Sequence, residues 1–165
     1  MLSVNRLDRA KRIDLLVEAA AAEPTLSVVL AGDGPDRERL EGLVRDRGVG
    51  SRVRFAGRVS TEVLADLYAP CFATFYAPVD EDFGLGPYES FLSGKPVITA
   101  TDAGGPLDVV HDGTTGRVVA PEAAAVAEAA VWLRDHPDEA GAYGRAGKAV
   151  AAEVTWDRAI GRLLS

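Results

Sequence analysis

From residue 2 to residue 119, short apolar runs rich in β-branched residues alternate with segments of helical period. The runs Leu2–Val4, Leu26–Ala31, Val53–Phe55, Phe72–Tyr76, Val97–Ala100 and Gly116–Val119 have the length and composition of strands. Between them, Ile13, Leu16, Val17 and Ala20 share one helical face, as do Leu40, Leu43 and Val44. Near-continuous apolar strands alternating with helices predict an α/β domain whose parallel sheet is covered on both faces, most simply a doubly wound one. After Pro121 the pattern is helical only: Glu122 to about Arg134, about Asp138 to Ala152 beyond Pro137, and Trp156–Leu164 with Thr155 as its N-cap.

Composition narrows the class. The 165 residues, 47% of them apolar, suit one domain with a real core. No apolar run approaches the roughly 18 residues that span a bilayer, and the opening MLSVNRLDRAK has too short an apolar part for a signal peptide. Cys71 is the single cysteine, which excludes a disulfide framework and makes a cytoplasmic protein the expectation. A formal charge of −7 argues against nucleic acid as a partner. A first strand at residue 2 is what a chain trimmed at a domain border would show, and equally a naturally short protein.

Ligands of doubly wound sheets bind in the loops leaving the carboxyl ends of the strands, and four such loops here are unusual. The first, Asn5–Arg12, carries Arg6, Arg9, Lys11 and Arg12 at the start of a helix, where cations oppose the macrodipole. An arginine fork and a lysine point charge suit a diphosphate, although a solvated basic turn has the same sequence. The second, Gly32-Asp33-Gly34-Pro35, either lets a ligand approach the backbone or is a tight turn into a helix. In the third, Pro78–Glu89, Glu81 can accept bonds from sugar hydroxyls and Glu89, about a turn into a helix, can grip the vicinal hydroxyls of a ribose. The amides of Phe83, Gly84 and Leu85 can face a phosphate or sugar oxygen; the alternative is an acidic helix cap. The fourth, Thr101–Pro106 with Asp108 beyond, is again expected to run from strand to helix around a glycine pair.

Taken in order, these pieces resemble the C-terminal donor domain of the retaining GT-B glycosyltransferases known as glycosyl transferases group 1, a Rossmann-like half-molecule. Arg6 and Lys11 match its R-x-x-x-x-K; Gly32 and Gly34 its G-x-G; Glu81, Phe83, Gly84, Leu85 and Glu89 its paired glutamates around F-G-L. Gly94–Val97 matches G-x-P-V, and Asp112–Gly116 matches D-G-x-x-G. The resemblance implies that Arg6 and Lys11 neutralise the departing diphosphate, that Glu81 and the amides after it hold the sugar, that Glu89 holds the ribose, and that the backbone around Arg58 and Val59 lies near the base. It implies a UDP- or GDP-linked sugar as donor, transfer with retained anomeric configuration, and no cofactor or metal. The acceptor, a glycan or a lipid-linked group, would be held by an N-terminal domain that this chain lacks, and that domain would account for any contact with the inner membrane face. Three positions depart from the pattern: Arg12 and Asp82 stand where glycines are usual, and Asp108 where a glutamate is usual.

Other motifs carry less. Asp80-Glu81-Asp82 has the form of a metal-binding D-x-D, but three acids in one turn are common and Glu81 has a better role. Gly144–Lys148 lacks the spacing, the Ser/Thr and the preceding strand of a P-loop; His111 and His136 lack partners; Cys71 reads as core. Two other functions fit the same sequence: a nucleotide-binding regulatory module that transfers nothing, and a dinucleotide-dependent oxidoreductase domain.

Overall fold

The computed structural model describes residues 1–154. The helix expected at Trp156–Leu164, with its Thr155 cap, lies outside the described residues. Six strands form one sheet: β1 (Leu2–Val4), β2 (Val28–Ala31), β3 (Val53–Gly57), β4 (Thr74–Phe75), β5 (Val97–Ala100) and β6 (Gly116–Val119). Every pairing is parallel, in the order β3-β2-β1-β4-β5-β6. This is the doubly wound arrangement expected from the pattern. The helices are α1 (Ile13–Ala22), α2 (Arg37–Asp46), α3 (Thr61–Tyr68), α4 (Gly86–Leu92), α5 (Ala123–Asp135) and α6 (Pro137–Ala152).

Strand residues alternate between two apolar layers, as the period of two requires. Val28 and Leu30 of β2, Phe75 of β4, and Ile98 and Ala100 of β5 pack with the buried faces of α1, α2 and α5. On the opposite face, Leu2 and Ala31 meet Tyr68 of α3, and Val97 meets Phe91 of α4 and Ala151 of α6. The predicted stripe on α1 is buried in full, whereas on α2 Leu40 and Val44 are buried and Leu43 only half so. On α3 Tyr68 is buried, Leu64 and Leu67 on the same face are half-buried, and Ser60 caps the helix by accepting from the Val63 amide at 3.4 Å.

The fourth loop corrects an expectation. It enters a four-residue 3-10 turn, Gly105–Asp108, and no α-helix follows before β6. Beyond that turn Thr115 ties the chain, its Oγ1 donating to Val109 O and accepting from the His111 amide, both at 2.8 Å. Val109 and Val110 are buried beneath it.

The strand order reverses direction between β1 and β4. The loops leaving these neighbours turn to opposite faces and open a crevice at the carboxyl edge.

Candidate functional site

The first loop runs over the second. The Asn5 amide donates to Ala31 O at 3.0 Å, Leu7 N to Asp33 O at 3.1 Å, and Asp36 N to Leu7 O at 3.0 Å. A Cβ on Gly32 would lie 1.8 Å from Asn5 O, and one on Gly34 2.2 Å from Leu7 O. These glycines are therefore required by the neighbouring loop before any ligand is considered, and the Gly32 amide is already bonded to Gly57 O at 2.7 Å. The result is a cleft of about 460 Å³ lined by Asn5, Arg6, Gly32, Asp33, Arg58 and Val59, among others. Arg6, Asp33, Gly34 and Arg58 also border a second hollow of about 430 Å³. Arg6, 71% exposed, is held only loosely, 3.7 Å from Asp8.

Lys11 lies elsewhere, at the switch point. It closes a 3-10 turn, Arg9–Lys11, that Asp8 caps by accepting from the Lys11 amide at 3.2 Å. Its ammonium is paired with the Glu81 carboxylate, 3.5 Å from the Tyr76 hydroxyl and 5.5 Å from the centroid of the Tyr76 ring. Burial disfavours the charge, but the bonds to Glu81 and Tyr76 outweigh it and raise the Lys11 pKa above the usual lysine value. Sequence reasoning did not find Tyr76. Its trace is the pair Gly84 and Gly86, where a Cβ would come within 2.9 and 2.2 Å of the Tyr76 ring.

The turn carrying Glu81 is pinned on two sides. Val79 N donates to Ala10 O at 2.8 Å, Asp80 N to Asp102 O at 3.1 Å, Glu81 N to Ala103 O at 3.0 Å, and Gly105 N to Glu81 O at 2.6 Å. Cβ atoms on Gly104 and Gly105 would meet Glu81 O at 2.6 Å and Asp82 O at 2.3 Å, so the fourth loop serves as a backing for the third. Beyond it, the amides of Phe83, Gly84 and Leu85 donate no hydrogen bond among the described residues. The side chains of Phe83 and Leu85 are 51% and 65% exposed. Glu89, one turn into α4, has an exposed edge. Its carboxyl has no hydrogen-bond partner among the described residues, and the protein around it desolvates the group and raises its pKa. The same edge therefore presents a cleft with two arginines, a lysine–glutamate pair, a strip of free amides and a carboxylate without a partner.

The family model described as glycosyl transferases group 1 matches residues 1–150. The chain belongs to this family. It is 35% identical, over 98% of its length, to D-inositol 3-phosphate glycosyltransferase of Mycolicibacterium paratuberculosis. It is 34% identical, over 83% of its length, to a GDP-mannose-dependent α-(1-6)-phosphatidylinositol monomannoside mannosyltransferase of Mycobacterium tuberculosis. It covers 38% of each of those proteins, so the chain spans about two fifths of the length of its curated relatives. Among solved structures, sucrose-phosphate synthase of Thermosynechococcus elongatus superposes with a TM-score of 0.89 at 33% identity, over 99% of this chain and 44% of that one. HepE of Anabaena, solved with UDP-glucose, gives 0.88 at 26% identity over 99% and 47%. The fold is thus the Rossmann-like half of a GT-B glycosyltransferase.

The departures from the glycosyl transferases group 1 pattern acquire a location. Arg12 has φ 48° and ψ 42°, the left-handed region a glycine would occupy freely. Asp82 is exposed, directly before the free amides. Asp108 ends the 3-10 turn of the fourth loop, and its charge adds to the burial that raises the Tyr88 pKa.

Proposed function

We propose that the chain binds the nucleotide diphosphate sugar of a retaining glycosyltransferase. The observation that carries this reading is the Lys11–Glu81 pair at the switch point, beside a cleft that holds Arg6 and Arg58. The nucleoside enters the cleft, its base near Arg58 and Val59 and its ribose hydroxyls on Glu89. The diphosphate draws Arg6 and Lys11 to itself. The Glu81 carboxylate, relieved of its lysine, accepts from sugar hydroxyls, and the amides of Phe83, Gly84 and Leu85 donate to the remaining oxygens. As the bond from the anomeric carbon to the diphosphate breaks, the two cations stabilise the developing charge on the leaving oxygens, a role that needs no metal. The acceptor hydroxyl attacks from the face the diphosphate leaves and passes its proton to the departing phosphate oxygen, which retains the configuration.

Transfer belongs to a longer protein in which a second domain presents the acceptor and closure completes the site. A lipid-linked acceptor is supported by the phosphatidylinositol monomannoside named for the mycobacterial relative. No helix among the described residues is long and apolar enough to cross a membrane. UDP is favoured by HepE, and GDP by the GDP-mannose-dependent relative.

The test is calorimetric titration of the chain with UDP, GDP, ADP and NAD, beside an Arg6→Ala/Lys11→Ala variant. Binding of one nucleoside diphosphate is expected, weakened roughly 10- to 150-fold by loss of each charge-assisted contact. Equal affinity in the variant would remove the phosphate site, and preference for NAD would replace the glycosyltransferase reading with an oxidoreductase one.

A further inference from the structure

Arg12 and Asp80 are the two residues other than glycine with positive φ among the described residues, at 48° and 46°. Both flank the Lys11–Glu81 pair in sequence. A residue with a side chain is held in this conformation only when its surroundings over-determine it, and for Arg12 the side chain itself does so. Its Nε donates to Ala77 O at 2.8 Å and its Nη2 to Pro78 O at 2.7 Å. Nη1 and Nη2 grip the two oxygens of Asp102 at 2.9 and 2.7 Å. The arginine side chain is 14% exposed. Four bonds to four oxygens of three residues require a guanidinium fork, which a lysine cannot supply.

The groups that Arg12 grips are the ones that frame Glu81. Ala77 and Pro78 lead into its turn, and Asp102 and Ala103 accept the Asp80 and Glu81 amides. On its own main chain Arg12 directly follows Lys11, and its amide closes the 3-10 turn on Arg9 O at 3.1 Å. One residue therefore governs both partners of the ion pair, Lys11 through the backbone and Glu81 through the guanidinium.

We propose that Arg12, clamped on Asp102, is a positioning residue that holds the Glu81 turn beside Lys11, so that the carboxylate the diphosphate frees from the lysine stays in place for the donor's sugar, which couples recognition of the sugar to recognition of the diphosphate. The clamp is independent of the donor reading, and the coupling rests on it. Glycine takes the left-handed conformation without strain, so Arg12→Gly keeps the path of the backbone at Lys11 and deletes only the clamp. Asp102→Asn weakens the clamp from its other end, and Arg12→Lys keeps the charge without the fork.

Two measurements decide. In hydrogen exchange, the Val79, Asp80 and Glu81 amides are expected to exchange about 10-fold or more faster in Arg12→Gly and Asp102→Asn, while those of β2 and β5 keep their protection. In titrations with UDP and UDP-glucose, or GDP and GDP-mannose where the wild type prefers that pair, Arg12→Gly is expected to bind the nucleoside diphosphate within about three-fold of wild type. Its preference for the intact sugar nucleotide is expected to fall about ten-fold, and Arg12→Lys to behave likewise. Unchanged exchange at the three amides overturns the clamp. Faster exchange with an unchanged preference reduces Arg12 to a structural strap and overturns the positioning role, as does full function in Arg12→Lys. A wild type that binds neither pair overturns the donor reading and the coupling with it, and the exchange data still show whether the clamp exists.

Discussion

Glu89 carries a desolvation cost. Its carboxyl has no hydrogen-bond partner among the described residues, and desolvation raises its pKa. A raised folded-state pKa means that the folded protein holds the proton more tightly than the unfolded chain. The associated stability is present below the ordinary glutamate value of about 4.3 and is lost as pH rises through the folded value. Glu89→Gln, neutral throughout, should therefore melt higher than wild type at pH 7 and alike at a pH below the glutamate range. A gain independent of pH in thermal unfolding would contradict the desolvation account. The same substitution should weaken a ribonucleoside diphosphate more than its 2′-deoxy analogue. At this scale the sequence exposes the charged candidates Arg6, Lys11, Glu81 and Glu89, because a charge is visible in any linear reading. It was silent on Tyr76 and Asp102, whose contributions depend on partners 65 and 90 positions away, Lys11 and Arg12.

Among the elements, the glycine loops changed meaning most. Gly32 and Gly34 suggested either an open approach for a ligand or a tight turn. In the fold they are the floor on which the first loop lies, and Gly104 and Gly105 do the same for the acidic turn. Close approach of two backbones is invisible in a linear pattern because a glycine has the same appearance whatever fills the space beside it. Two positions separate strain from collision. Gly48 has φ +66° and open space, with no atom within 4 Å of where a Cβ would stand, whereas Gly32 has φ +127° and Asn5 O at 1.8 Å. In urea titrations, Gly48→Ala should cost about 1 kcal/mol, and Gly32→Ala about 3 kcal/mol or more with loss of the cleft geometry around Arg6. Equal costs would mean that the first loop moves aside freely. Helix α3 does carry the period, with Leu64, Leu67 and Tyr68 at i, i+3 and i+4, but over eight residues only Tyr68 is fully buried and Val63 stands in solvent, so the signal is weak.

For the whole molecule, the crevice between the β1 and β4 loops places the candidate site on the most constrained part of the sheet, since both strands are interior. A ligand that binds the folded chain alone stabilises it by about 2.7 kcal/mol at 100 times its dissociation constant. The melting temperature should therefore climb with the concentration of the preferred sugar nucleotide, and Lys11→Ala should flatten that climb at equal concentration; an undiminished response in the variant would exclude Lys11 from the site. The sequence by itself determined the α/β class, five of the six α-helices among the described residues, the strands to within a few residues, and the identity of the charged groups, because hydrophobic period and side-chain chemistry are local properties. Tertiary structure alone decided which loops become neighbours. Strand order brings the β1, β4 and β5 loops together, and only then do Lys11 and Glu81 pair, Arg12 reach Asp102, and the glycines find the backbones they make room for. These contacts join residues far apart in the chain, and no periodicity along it encodes them.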